Sequence, residues 1–135
     1  MLEPMERVIG IGGIFFKAND PEKLGAWYRE HLGIDVQDWG GATFQEGVAS
    51  RLTPKRQSHI VWSPFDAGTT YFAPSEKPYM INYRVHDLAG LLAQLRSEGV
   101  TVDEKTEESE FGKFGWATDP EGNRFELWEP PPVAE

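Results

Sequence analysis

The sequence predicts an α+β fold built from two βαβββ modules in tandem. Three observations predict it. First, the series strand, capped helix, glycine stop and short strands occurs twice in 135 residues. Second, the two series keep step: Ile14, Asp20, Leu24 and Arg29 sit 67 residues before Ile81, Asp87, Leu91 and Arg96, and Gly33 sits 66 before Gly99. Third, IVWSP (Ile60–Pro64) precedes ELWEP (Glu126–Pro130) by 66, with Trp and Pro recurring together.

The elements follow in order. Arg7 to Lys17 is rich in Ile, Val, Phe and Gly and reads as a buried strand. Asp20 suits a helix N-cap, Pro21 the first helical position, and Glu22 the positive end of the helix dipole. Leu24, Trp27, Tyr28 and Leu32 are spaced for one apolar helical face, and Gly33 is placed to end that helix. Short strands are predicted at Ile34–Trp39, Ala42–Glu46 and Ser58–Pro64. The stretch Phe65–Tyr79 holds Gly68, Pro74 and Pro78 and has no period, so it reads as the connection between halves. Met80 to Val85 alternates as a strand. Asp87 caps a second helix through Leu88, Leu91, Leu92 and Leu95, ended by Gly99. Strands follow at Thr101–Asp103, Phe114–Thr118 and Arg124–Trp128, the last two joined by the turn Asp119-Pro120-Glu121-Gly122-Asn123. All 135 residues then form one domain, with modules over about 7–64 and about 80–130.

Composition narrows the function. Net charge is −9, from 13 basic against 22 acidic residues, which disfavours nucleic acid and anionic membranes as partners. The absence of cysteine excludes disulfides, thiolate metal ligands and a cysteine nucleophile. No apolar run is long enough to span a bilayer, and the acidic start lacks the basic region of a signal peptide, so the expected location is cytoplasmic. No serine sits in a glycine elbow, and GIGGIFF lies within a strand with no helix opening on it, so it is not a phosphate loop.

Three stretches carry a resemblance. FFKANDPEKLGAWYREHLGI, MINYRVHDLAGLLAQL and FGWATDPEGNRFELWEP, in that order, resemble the vicinal oxygen chelate superfamily of glyoxalases, bleomycin-resistance proteins and extradiol dioxygenases. The likeness spans about Arg7 to Pro130. It implies that each module curls into half of a cup, and that the cleft commonly binds a divalent metal through the first and last strands of each module. For bleomycin-resistance relatives it also implies a homodimer.

Strand alternation then assigns the cleft face. Gly13, Phe15 and Lys17 are expected there from the first strand, Met80, Asn82 and Arg84 from the strand opening module two, and Arg124, Glu126 and Trp128 from the last. The repeat spacing places Ile60 opposite Glu126, with Ser58 and Trp62 on the same face. The superfamily's ligand positions thus fall on Gly13, Ile60, Met80 and Glu126, of which only Glu126 is a hard oxygen donor. A catalytic divalent metal is therefore disfavoured, and no other cofactor is implied. A register shift would add His59 to Glu126 as a second ligand. The expected function is a small-molecule binder with Phe15, Lys17, Trp62, Met80, Asn82, Arg84, Arg124 and Trp128 around the ligand, and Glu126 with Arg84 as candidate catalytic groups. The alternatives are a metal-dependent lyase, isomerase or dioxygenase using Glu126, and an interaction module whose cleft is packed shut by Trp62 and Trp128.

Overall fold

The computed structural model describes residues 6–45 and 59–132. Among them eight strands form one open, curved sheet, with two helices packed on it. In chain order these are β1 (Val8–Ala18), α1 (Pro21–Leu32), β2 (Ala42–Gln45), β3 (His59–Asp66), β4 (Tyr79–Val85), α2 (Leu88–Ser97), β5 (Thr101–Val102), β6 (Glu107–Ser109), β7 (Gly112–Thr118) and β8 (Arg124–Glu129). The sheet runs β2-β3-β1-β4-β8-β7-β5, with β6 paired to β7.

The two modules meet at the centre, where β1 and β4 pair antiparallel from Val8 opposite Val85 to Phe16 opposite Tyr79. Within each module the first strand pairs parallel with the last, β1 with β3 and β4 with β8. A bulge interrupts β1 between Ile11 and Gly13 and resets its alternation. Pro64 is tolerated in β3 because β2 pairs only with His59 to Trp62, so the missing N–H falls beyond the end of that ladder.

Both helices start as their sequences require. The Asp20 side chain accepts from Lys23 N at 3.0 Å, and Asp87 accepts from Gly90 N at 3.0 Å. Helix α1 ends on Gly33 at φ 68, a conformation that favours glycine. Leu88, Leu91 and Leu92 of α2 pack with Val85 and Leu127 into the core on the helix side of the sheet. The buried Glu129 carboxylate accepts from Leu88 N at 2.9 Å, placing a negative charge at the α2 N-terminus.

Three expectations about elements need correction. Ile34–Trp39 is not a strand. Its backbone is satisfied locally by Val36 N to Ile34 O and Gln37 N to Gly41 O, and the Val36 carbonyl accepts from Arg29. Val36 is buried, and its side chain lies against Gly25 of α1 rather than on a strand neighbour. β6 was not expected, because Glu107, Glu108 and Ser109 are all exposed and show no alternation. β3 extends past Pro64 to Asp66, which takes Phe65 out of the connection and into the sheet. The predicted strand ends at Glu46 and Ser58 lie outside the described residues.

Candidate functional site

The concave face opposite the helices carries a carboxylate in an aromatic setting. Glu126 stands on β8 between Asn82 of β4 and Trp116 of β7, its direct neighbours across the sheet. It is only 2% exposed. Asn82 Nδ2 donates to Glu126 Oε1 at 2.6 Å, and Trp116 Nε1 donates to Oε2 at 2.9 Å. The Tyr71 hydroxyl donates to the same Oε2. Burial pushes the Glu126 carboxyl above its ordinary range, and these three donors together with the Arg124 charge only partly oppose it. The Tyr71 phenol is pushed up as well, by burial first and then by the Glu126 charge, so its hydroxyl stays a donor.

Around this carboxylate lies a second core, of Phe15, Phe72, Met80 and Trp116, with Val61, Phe65 and Phe114 packed against it. The connection between modules supplies its cover. Phe72 is 1% exposed, with its ring 5.2 Å from that of Phe65. The Tyr71 ring stacks on Phe65 at 5.7 Å and 17° and meets Trp116 edge-on at 6.2 Å. Arg124 holds this segment down. Its guanidinium donates to the Tyr71 carbonyl, pairs with Asp103 at 2.7 Å, and lies 5.1 Å from the Trp116 ring centre.

The structure brings together most of the expected residues. Phe15, Met80, Asn82, Glu126 and Trp128 are buried, and Arg84 with them. The Lys17 ammonium lies 6.0 Å from the Phe72 ring centre, at the rim. Arg84 does not bind Glu126. Its guanidinium lies over Gly10 and donates to the Ile11 carbonyl at 3.3 Å. A Cβ on Gly12 would overlap Asn82 Oδ1 and Trp128, so glycine there is what admits Asn82 to the site. Asn82 Oδ1 itself has no hydrogen-bond partner among the described residues. Trp128 stacks on Phe114 at 6.2 Å and donates to the Phe111 carbonyl at 2.7 Å.

Trp62 is a correction. It lies on the helix side, against Phe16 at 5.4 Å and Tyr28 of α1 at 5.1 Å. Ile60, two residues earlier, shares its side, while Val61 and Phe65 face the cup. The position corresponding to Glu126 follows from the pairing. Phe15 lies five residues before the Asp20 cap and pairs with Ser63; Asn82 lies five before the Asp87 cap and pairs with Glu126. Ser63, not Ile60, therefore stands where Glu126 stands. The cup is filled by Phe72 and not by Trp62. Tyr71, Phe72, Trp116 and Asp103 were missed as site residues. Two signals were available: Tyr71-Phe72 is an adjacent aromatic pair in a connection without periodicity, and the predicted hairpin around Asp119–Asn123 sets Trp116 opposite Glu126.

These residues do not fit a bound divalent metal. Corrected for register, the ligand positions are Gly13, Ser63, Met80 and Glu126, and both Glu126 oxygens already accept protein hydrogen bonds. No group of three His, Cys, Asp or Glu side chains could hold a metal among the described residues. The His59 side chain lies outside the described residues. An open hollow of about 630 Å³ lies elsewhere, along the start of α1 beside Lys17, Lys23 and Trp27. It contains none of the buried polar groups that distinguish the Glu126 cup. No described helix is long and apolar enough to cross a membrane.

Solved structures share this fold. Methylmalonyl-CoA epimerase from Mycobacterium tuberculosis is 22% identical, with 98% of this chain and 94% of that one covered and a TM-score of 0.60. Methylmalonyl-CoA epimerase of Streptomyces coelicolor, in complex with 2-nitronate-propionyl-CoA, is 14% identical over 92% of this chain and 99% of that one, at a TM-score of 0.68. The 2,3-dioxygenase LapB from Pseudomonas sp. KL28 is 20% identical at a TM-score of 0.56, and the match covers 94% of this chain but 42% of LapB. At these identities the likeness is one of fold. No curated protein matches the sequence. The model of the glyoxalase-like domain matches residues 13–128, nearly the whole of both modules. The chain belongs to that glyoxalase-like family, within the vicinal oxygen chelate superfamily.

Proposed function

We propose that the protein binds a small organic molecule in the cup around Glu126, without a tightly held catalytic metal. One observation carries this reading: a buried carboxylate, ringed by the donors Asn82, Trp116 and Tyr71, is set among aromatic side chains with no metal-ligand set beside it among the described residues. Such a wall gives apolar contact, and a few fixed polar groups give orientation. The same reading takes the protein to be a cytoplasmic homodimer, the dimer being what the resemblance to bleomycin-resistance proteins implies.

A second reading is an isomerase or lyase that moves a proton at an enolisable carbon. The raised proton affinity of Glu126 favours it, because a general base works best when its pKa approaches the working pH. The two fold neighbours named as epimerases agree with that reaction class.

Elemental analysis of protein purified without chelator, with a thermal-shift screen of Mn, Zn, Ni, Fe(II) and small organic compounds, tests the proposal. Substoichiometric metal and shifts from organic compounds alone are expected. A metal-induced shift that vanishes in Glu126→Ala would overturn the metal-free reading.

A further inference from the structure

Beside Phe72, which fills the apolar part of the cup, the protein's own Tyr71 occupies the place at Glu126, and this points to what else can occupy it. Tyr71 comes from the connection between modules and from neither half of the sheet. It is 36% exposed, yet its hydroxyl reaches a carboxylate that is 2% exposed. Its ring fills a slot between Phe65, stacked, and Trp116, edge-on. The neighbouring Phe72 is 1% exposed and anchors the segment. The Tyr71 backbone is tied by Arg124 at its carbonyl and by Thr69 at its N–H, whereas its side chain is held by one hydrogen bond, ring contacts and the Arg124 guanidinium 6.0 Å from its ring.

We infer that Tyr71 is a stand-in for the ligand, and that the site takes a neutral aromatic ring bearing a hydroxyl, which displaces Tyr71 from Glu126. This rests on reading the cup as a small-molecule site, and it names the class of molecule. The geometry sets each part of that class. The slot between Phe65 and Trp116 has the dimensions of one six-membered ring, because it holds one. Trp116 Nε1 and Asn82 Nδ2 turn donors towards Glu126, so the carboxylate is the acceptor and the ligand must donate. Arg124 is shared between Asp103 and the field at Glu126, and Arg84 lies over Gly10, so a ligand carboxylate would compete with two carboxylates for the Arg124 charge. An anionic ligand would meet like charge in a dry site.

The test uses p-cresol, which is the tyrosine side chain as a free molecule, against toluene and benzoate. In the full chain, Tyr71→Ala opens a slot of one ring's width between Phe65 and Trp116, with Glu126 at its base. Calorimetric titration should show p-cresol binding Tyr71→Ala about tenfold or more tighter than toluene, the ratio expected for a hydrogen bond to a charged group. It should also bind the variant more tightly than the wild type, where Tyr71 competes, and benzoate should not bind. Equal binding of p-cresol and toluene would overturn the hydroxyl requirement and leave small-molecule binding intact. Failure of all three to bind a folded Tyr71→Ala would overturn the stand-in, whereas the screen on wild-type protein decides the broader reading separately. If Tyr71→Ala does not fold, Tyr71→Phe keeps the ring and loses the hydroxyl. Phenolic probes should then bind it about tenfold more tightly than wild type, and unchanged affinity would sink the proposal.

Discussion

Glu126 receives three hydrogen bonds and still holds its proton more firmly than a free carboxylic acid. Desolvation outweighs the donors because the group is almost wholly shielded from water. The consequence for stability has a definite sign. A carboxyl whose folded pKa is raised above its ordinary value of 4.5 stabilises the fold most below that pH, and the contribution is lost as pH rises through the folded value. Glu126→Gln removes this titration. Urea unfolding at a series of pH values from 4.5 upward should therefore show wild-type stability falling relative to Glu126→Gln; a constant difference between the two proteins would contradict it. Gly12 gives a steric test of the same site. A methyl group there meets Asn82 Oδ1 and Trp128 at once, so Gly12→Ala should cost about 1–3 kcal/mol, read as a lower urea midpoint at unchanged m-value.

At the scale of elements, the connection of residues 67–78 behaves as part of the core although it has no regular structure. Phe72 fixes it in the aromatic cluster, Arg124 bonds the Tyr71 carbonyl, and Lys77 donates to Asn123 at 3.2 Å. Phe72→Ala should destabilise the protein by about 3–5 kcal/mol, the usual cost of truncating a buried phenylalanine. It should also speed proteolytic cleavage within the connection, which global unfolding alone would not localise. The α2 cap is a smaller term. Asp87→Ala removes the acceptor for Gly90 N and should cost about 1 kcal/mol in the same unfolding measurement.

At the scale of the molecule, the β1–β4 ladder joins the modules into one sheet within a single chain, so the described cup needs no second copy to form. Its polar centre belongs to module two, whereas Phe15, Val61 and Phe65 of module one supply the opposite apolar wall. Among the described residues that division gives one carboxylate faced by Ser63 and by no His, Asp or Glu ligand set, which is the physical basis for expecting no metal. Dialysis against a strong chelator should leave Tm unchanged; a fall in Tm restored by one divalent ion would show a metal contributing to the folded state.

The sequence by itself determined both helices, their caps, the recurrence of a strand, a capped helix and further strands, and the faces of β1, β4 and β8, but not the strand count: the described strands run βαββ in module one and βαββββ in module two. Each is set by local chemistry: an aspartate before a helix, a glycine after it, or alternation between a leucine-packed side and a polar one. Tertiary structure alone decided the face of β3 and the cover of the cup. β3 is apolar on both sides, with Ile60 and Trp62 against Val61 and Phe65, so no alternation distinguishes them, and the Trp-Pro match with ELWEP pointed to the wrong register. Tyr71 and Phe72 lie in a segment without periodicity, and their burial depends on residues about 45 to 55 positions away in sequence or on the opposite module. Glu126 was legible as a cup residue because its strand alternates. Its partner Tyr71 was not, because it reaches Glu126 only once the connection folds back over the cup, whereas Trp116 is its cross-strand neighbour in the β7–β8 hairpin.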